Sequence, residues 1–325
     1  MKALVTGGLG FIGYHLSARL LATGHEVHAF DNAERGRADA AIEALKRLGH
    51  YRLVLGDTTD ASQLAVLDAD YSHVFHLAAI VGVKSVVGQP FRVLHDNALA
   101  LMRVLEWART QRELRRFFFT STSEVYAGTL EAFRIAIPTP ENTPLAIVAP
   151  GRPRTSYMLS KIYGEALCES SGMPFTIVRP HNIYGPRMGM AHVIPELLQR
   201  AHRTPPGGEL LVFSPGHSRT FCYIDDAVEL IVRIALSPDG LNRTFNVGRS
   251  EEEVSIASLA EMVINSVGKP LRISCGPDTA GSPTRRRPDI AAAVAVASYH
   301  PQVALQEGIR RTYRWYRDEV FNRGC

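Results

Sequence analysis

The sequence predicts an α/β fold: a doubly wound parallel sheet followed by a smaller mixed α/β C-terminal domain. Three observations predict it. Short runs rich in β-branched and aromatic residues alternate with helical patterns through the first 180 or so residues. A glycine-rich turn, Gly7-Gly8-Leu9-Gly10-Phe11-Ile12-Gly13, joins the first such run to the first helical pattern. A carboxylate, Asp31, closes the second run eighteen residues beyond Gly13.

The first strand is Leu4-Val5-Thr6, and the helix after the glycines carries Phe11, Ile12, Leu16, Leu20 and Leu21. Gly8, Gly10 and Gly13 fit G-x-G-x-x-G between strand and helix. There the pattern permits a sharp turn, approach of backbone to a pyrophosphate, and close helix–strand packing. The helix N-terminus adds free N–H groups and the positive end of its dipole. A glycine triplet alone is often only a turn, and Asp31 strengthens it. A carboxylate at that place accepts the adenosine ribose hydroxyls of NAD and repels the 2′-phosphate of NADP. Arg35 and Arg37 could serve that phosphate instead.

A polar, alanine-rich helix leads to a third strand, Tyr51–Leu55, ending at Gly56-Asp57. Asp57 reads either as an adenine contact or as a cap for the segment starting at Asp60. The fourth strand, His73–Leu77, runs into Ala78-Ala79, small enough to let backbone approach a cofactor. Lys84 follows as a substrate-side candidate, although a lone lysine is more often solvated. Asn97–Gln111 reads as an amphipathic helix with Leu101, Val104, Leu105 and Ala108 on one side. The fifth strand, Arg116–Ser121, is buried by its phenylalanines and ends in Thr122-Ser123-Glu124-Val125-Tyr126. Three hydroxyls and a carboxylate at the end of a buried strand are costly unless paired or used. Leu130–Pro153 is proline-rich and irregular, and reads as a long active-site loop. It delivers Ser156–Lys161, where Tyr157 and Lys161, four apart, share one helix face.

From residue 179 the strand–helix rhythm loosens. The expected division is a cofactor domain over 1–178, with 219–247 returning to it, and a substrate domain over 179–325. The apolar stripe of the C-terminal helix, Leu305–Phe321 with Ile309, Tyr313 and Tyr316, is core packing. The chain is 46% hydrophobic and 21% charged, with a scattered net charge of +4 that gives no argument for nucleic acid. A pI near 8.9 suits anionic small ligands. No apolar run reaches the ~18 residues of a membrane span. Cys168, Cys222, Cys275 and Cys325 lie far apart, and His73 and His76 fall on opposite strand faces, so neither a disulfide framework nor a metal is expected. A reducing cytoplasm is the expected compartment.

The ordered parts (glycine loop, Asp31, Thr122 after strand five, then Tyr157-x-x-x-Lys161) resemble the extended short-chain dehydrogenase/reductases, in their nucleotide-sugar epimerase/dehydratase branch. The resemblance continues through Arg179–Arg187, His192–Pro195, Arg219–Asp226, Phe245–Gly248 and Arg287–Ile290, and so covers nearly the whole chain. It implies a Rossmann sheet and NAD held by Gly7, Gly10, Phe11, Ile12, Gly13, Asp31, Asn32, Asp57, Thr58, Leu77, Ala78, Ala79, Asn97, Tyr157 and Lys161. It implies Tyr157 as base, Lys161 lowering the tyrosine's pKa, and Thr122 bonding the reacting hydroxyl. A free phenol, pKa ~10, must be shifted about three units, roughly 4 kcal/mol, to serve near pH 7; Lys161 and the positive nicotinamide are expected to do this. The diphosphate of the sugar nucleotide falls to Arg219 and Arg286, chosen among Arg285, Arg286 and Arg287, because guanidinium forks suit it. Asn182, Val193 and Phe213 complete the substrate side with Lys84, and Arg187 is available for a sugar carboxylate. UDP is the expected nucleotide. A homodimer is implied through Leu101, Leu105, Ile162 and Leu167.

The reaction expected is 4-epimerisation through a transient 4-keto sugar. Ser123 and Glu124 keep 4,6-dehydration and UDP-glucuronate decarboxylation open as alternatives, since Thr-Ser-Glu resembles members of both groups. A catalytically silent NAD-binding sensor on the same fold is the remote alternative; silent members generally lack the Tyr or Lys present here. His181 is unusual at its place in the pattern.

Overall fold

The structure is a computed structural model that describes residues 1–279 and 281–322; Cys325 lies outside the described residues. Along the chain come β1 (Lys2–Thr6), α1 (Phe11–Ala22), β2 (Glu26–Asp31), α2 (Ala40–Lys46), β3 (Tyr51–Leu55) and α3 (Ala61–Leu64). Then follow β4 (His73–His76), α4 (Val83–Gly88), α5 (Pro90–Ala108), β5 (Arg116–Thr120), a 3₁₀ turn at Ser123–Tyr126, and α6 (Ala127–Ala132). After a connection come α7 (Pro153–Ser170), β6 (Phe175–Pro180), β7 (Ile183–Tyr184), α8 (Val193–Arg203), β8 (Glu209–Val212), β9 (Ser218–Arg219) and β10 (Cys222–Tyr223). The rest is α9 (Ile224–Leu236), β11 (Arg243–Val247), β12 (Val254–Ser255), α10 (Ile256–Val267), β13 (Arg272–Cys275), β14 (Arg285–Arg286), α11 (Ala291–Ala297) and α12 (Leu305–Tyr316).

Seven strands form one parallel sheet in the order β11-β6-β5-β4-β1-β2-β3. The chain lays β2 and β3 to one side of β1, then β4, β5, β6 and β11 to the other. The order reverses between β1 and β4, and ligands bind outside the carboxyl ends of strands at such a point. Because successive side chains alternate faces, Val5, Phe75 and Phe118 pack on one side of the sheet, while Leu4, Val74, Phe117 and Phe119 pack on the other. Burying one such side chain is worth about 1.5–3 kcal/mol. The first face is covered by α1 and α9, tied by Arg19 to Glu229 at 2.6 Å. The second is covered by α5 and α7 through Leu101, Val104, Leu105 and Cys168. Smaller sheets, β12-β9-β14 and β13-β8, stand beyond the carboxyl edge. Among the described residues no helix is long and apolar enough to cross a membrane.

Three expectations need correction. Helix α5 starts at Pro90, seven residues before Asn97, with proline in its first turn, where the missing N–H costs nothing. Leu101 and Leu105, expected at a subunit contact, are buried in the chain's own core. The segment from Leu130 to Pro153 does not line the cleft described below. Thr129 Oγ1 donates to the Pro144 carbonyl at 2.6 Å and accepts from the Ala146 N–H, while the Asp289 N–H donates to the Thr139 carbonyl at 2.9 Å. Its polar groups are spent on packing the connection against α6 and the approach to α11.

Candidate active site

A cleft of about 1070 Å³ opens at the carboxyl edge of the sheet and runs from β2 across β1, β4 and β5 to the smaller sheets. Its floor is the glycine turn. Gly7 has φ +72°, and a Cβ there would stand 2.9 Å from the Ala78 nitrogen; a Cβ on Gly13 would stand 2.1 Å from the Gly7 carbonyl oxygen. Gly7, Gly10 and Gly13 line the cleft, but Gly8 does not. A Cβ on Gly8 would meet that of Ala29 at 2.4 Å, so Gly8 serves strand packing, and the working triplet is Gly7, Gly10 and Gly13. Gly10 caps α1 without any side chain, and no acidic residue sits in the first turn. The helix therefore presents free N–H groups to an anion.

Asp31 accepts from the Leu9 N–H at 3.0 Å and the Ala33 N–H at 2.8 Å. Burial raises its pKa, and these two bonds act against the rise. Asn32 and Arg35 line the cleft beside it; Arg37 does not. Asp57 and buried Thr58 also line it, and Asp57 takes both the N–H and hydroxyl of Thr59 at 2.8 Å, while Asp60 caps α3. Leu77, Ala78 and Ala79 form the opposite wall with Phe11 and Ile12. Asn97 accepts from the Ile80 N–H at 2.7 Å and donates to its carbonyl at 3.1 Å, fixing that wall. Lys84 is exposed on α4 and outside the cleft, because the short helix turns its side chain to solvent.

At the end of β5, Thr122, Ser123 and Glu124 meet Tyr157 and Lys161. The Tyr157 hydroxyl bonds Thr122. Lys161 is buried, donates to the Thr120 carbonyl at 2.8 Å and lies 5.9 Å from the Tyr157 ring centre. Burial pushes Lys161 down to about 8 and Tyr157 well above its ordinary value; the Thr122 bond lowers the phenol and the Glu124 charge raises it further. The ammonium donates to a backbone carbonyl and keeps its positive charge on the same helix face as the phenol.

Glu124 meets Arg286 at 2.7 Å, with Ser123 Oγ 3.4 Å from the same nitrogen. The Arg286 charge holds the Glu124 carboxyl below the usual range against its burial. Its side chain still keeps 46% of its surface accessible, so it faces the cleft rather than the core. Arg219 donates to the Ser218 carbonyl, the Ser282 hydroxyl and the Pro283 carbonyl at 2.5–3.0 Å, and burial followed by Arg286 lowers it to about 10. Asn182 (φ +44°) donates to the Thr220 carbonyl, and Val193 opens α8. Phe213 is 39% exposed with the Arg200 guanidinium 5.3 Å over its ring. Arg187 lines the cleft too. It stacks 4.2 Å over Tyr14 and pairs with Asp39 at 2.7 Å, at the N-cap of α2, because a φ of +68° aims it there.

Two cleft residues carried no sequence signal. Arg154, three before Tyr157, is exposed, lines the cleft and makes no hydrogen bond or ion pair with another described residue. Arg200 was hidden on an amphipathic helix where a basic residue is commonplace. His181 is buried behind the site, its Nε2 3.0 Å from Asn246 Oδ1, and burial pushes it down to about 3, so it is neutral.

The cradle fits NAD: backbone donors, no side chain at Gly7, Gly10 or Gly13, and Asp31 with lone pairs left for a ribose. Residues 3–248 match the NAD dependent epimerase/dehydratase family. A UDP-N-acetyl-alpha-D-glucosaminuronate decarboxylase of Bacillus cytotoxicus is 32% identical, covering 98% of this chain and 98% of that protein. A UDP-glucose 4-epimerase of Mycolicibacterium smegmatis is 31% identical, covering 98% and 99%. Among solved structures, the UDP-glucuronic acid 4-epimerase of Bacillus cereus, in complex with UDP-glucuronic acid and NAD, superposes with a TM-score of 0.82 at 28% identity, covering 98% and 99%. The cradle, the Tyr157–Lys161 pair and these likenesses agree: the chain belongs to the NAD dependent epimerase/dehydratase family and is an NAD-dependent enzyme acting on nucleotide sugars.

Proposed function

We propose that the chain is a 4-epimerase of a UDP-sugar, working through transient oxidation at C4. NAD, which the glycine turn and Asp31 would hold, would supply hydride acceptance from C4 and its return to the opposite face of the ketone. Tyr157 takes the C4 hydroxyl proton and gives it back, Thr122 orients that hydroxyl, and Lys161 supplies positive charge beneath. Arg219 and Arg286 hold the diphosphate, and Phe213 faces the base. The observation that carries the choice of reaction is the state of Glu124. A dehydratase needs a base at C5 and an acid for the departing hydroxyl. Glu124, paired with Arg286, is held on the carboxylate side, which disfavours it as that acid. The ketone is then left with the return of its hydride.

A second reading is favoured by Arg154. A 4-keto uronic acid loses carbon dioxide without a base, its electrons flowing into the ketone, and requires chiefly a cation for its carboxylate. The uncommitted Arg154 guanidinium, which also acts on Glu124, suits that task. Mass spectrometry of UDP-, TDP- and GDP-sugars after incubation, with UDP-glucuronate included, separates the readings. The expected product is an isomer of unchanged mass from a UDP-sugar. Carbon dioxide from a uronate establishes the second reading, and loss of water refutes both.

We assign residues 1–178 with 219–247 to the cofactor and 179–325 to the sugar nucleotide, which the pairing of β11 with β6 supports. We place the enzyme in the cytoplasm. We also propose a homodimer, but through the outer faces of α5 and α7, where Phe91 is 79% and Tyr163 43% exposed beside partly buried Leu99, Met102 and Ile162. Light scattering at micromolar concentration should give the mass of two chains, and Tyr163→Glu should shift it toward one. A monomeric wild type contradicts the dimer.

A further inference from the structure

One buried ion pair takes no part in the chemistry above. Glu165 lies on α7 one turn beyond Lys161, and Arg179 on β6 forks it, Nε to Oε1 at 2.9 Å and Nη2 to Oε2 at 2.6 Å. The two side chains are only 6% and 5% exposed. The same Oε1 accepts the Ser121 hydroxyl at 2.5 Å. Ser121 stands between Thr120, whose carbonyl takes the Lys161 ammonium, and Thr122, which bonds Tyr157. The remaining Arg179 nitrogen donates to the Tyr126 hydroxyl at 2.7 Å and to the Glu141 carbonyl at 2.9 Å. Tyr126 donates to Asn246, and Asn246 donates to the carbonyls of Thr139 and Asp289 at 3.0 Å. A buried hydrogen-bonded chain thus runs from the tyrosine–lysine end of the cleft to the segment that follows Arg286.

Stability does not explain this pair, since apolar residues of similar volume in place of a buried ion pair are often neutral or stabilising. We propose that Glu165 is a positioning residue for Lys161: its carboxylate, held by Arg179 and Ser121, fixes against α7 the end of β5 whose Thr120 carbonyl takes the ammonium, and places a negative charge one helix turn from it. The proposal rests on the reading of Lys161 as the charge beneath Tyr157. The groups around Lys161 are Tyr157, Glu165 and Cys168 from α7, the Thr120 carbonyl and Phe119 ring from β5, and His76 from β4. Burial lowers Lys161, while Cys168 and Glu165 act upward. Burial keeps Cys168 a thiol and pushes His76 down to about 3, so both are uncharged at neutral pH. Glu165 is left as the anion of this group, with Arg179 answering it from β6.

The chain has five lysines, Lys2, Lys46, Lys84, Lys161 and Lys269, so ¹³C labelling at lysine Cε gives a spectrum simple enough to follow one by one. The Lys161 signal is assigned with Lys161→Met and titrated in the NAD-loaded protein. In Glu165→Gln its midpoint should fall by about one pH unit, the low end of the effect of a close opposite charge. Because this variant leaves Arg179 buried without its anion, Glu165→Leu/Arg179→Leu is titrated beside it. The double variant should melt within a few degrees of wild type, with the Lys161 midpoint again lowered. Its kcat for the sugar nucleotide should fall about tenfold or more at unchanged KM, since small displacements of positioned groups cost that much. A folded double variant with the wild-type midpoint overturns the proposal. A wild-type chain that turns over no nucleotide sugar instead refutes the proposed function, and the midpoint still decides the role of Glu165.

Discussion

Tyr157→Phe is expected to abolish turnover while NAD and the nucleotide sugar still bind. The substitution removes one oxygen and keeps the ring in its place on α7, so neither the cleft nor the cradle changes shape. What is lost is the hydroxyl beside Thr122 to which the proposed reaction assigns the C4 hydroxyl proton. General acid–base catalysis of this kind contributes about 10²–10⁴-fold. In the protein alone burial favours the phenol, so positive charge beside the ring is needed to make the tyrosine a base. Steady-state rates on the substrate found by mass spectrometry, with NAD content measured on the same preparations, check this. Most activity retained in Tyr157→Phe would place the base elsewhere, with Glu124 the first suspect.

Gly13→Ala is expected to empty the protein of its cofactor. Wild-type protein should be purified with NAD bound, because the cofactor is regenerated in each turnover and has no need to leave. An added Cβ at Gly13 meets the Gly7 carbonyl oxygen at 2.1 Å and its carbon at 2.9 Å, both backbone atoms that no rotamer change can move. The helix must slide off the strand, which takes its N–H groups away from the pyrophosphate. Overpacking of this kind costs about 1–3 kcal/mol even where side chains can yield. Gly151→Ala, where an added Cβ meets nothing within 4 Å, is the control and should keep its NAD. Chromatography of the supernatant after heat denaturation measures the cofactor in each. NADP in wild type would sink the argument from Asp31, and full NAD in Gly13→Ala the argument from the cradle.

Much of this was legible before any coordinates. Strands such as Phe117-Phe118-Phe119 and Ala3-Leu4-Val5 announce themselves because both faces are buried, so every position is apolar. Tyr157 and Lys161 are brought together by helix periodicity alone. What was not legible depends on contacts far apart in the sequence. Whether Gly8 or Gly7 faces the cleft is decided by Ala29 on β2 and by Ala78 in the segment after β4. The partner of Arg187 is Asp39, 148 residues away. The connection from Leu130 to Pro153 has the composition of a functional loop, yet Thr129 and Thr139 hold it to the outside of the site. Arg154 and Lys84 differ only in which way a helix turn aims them, and neither neighbourhood in sequence tells.

The central claim is that the C4 hydrogen leaves the sugar and returns to it while the C5 hydrogen stays in place. The most direct test is turnover in D₂O, and in H₂O with the UDP-sugar deuterated at C4, followed by mass spectrometry and NMR of the product. The account predicts that the product keeps the C4 deuterium, gains none from solvent at C5, and has the opposite configuration at C4. Loss of the C4 label to water, or deuterium at C5, would contradict it.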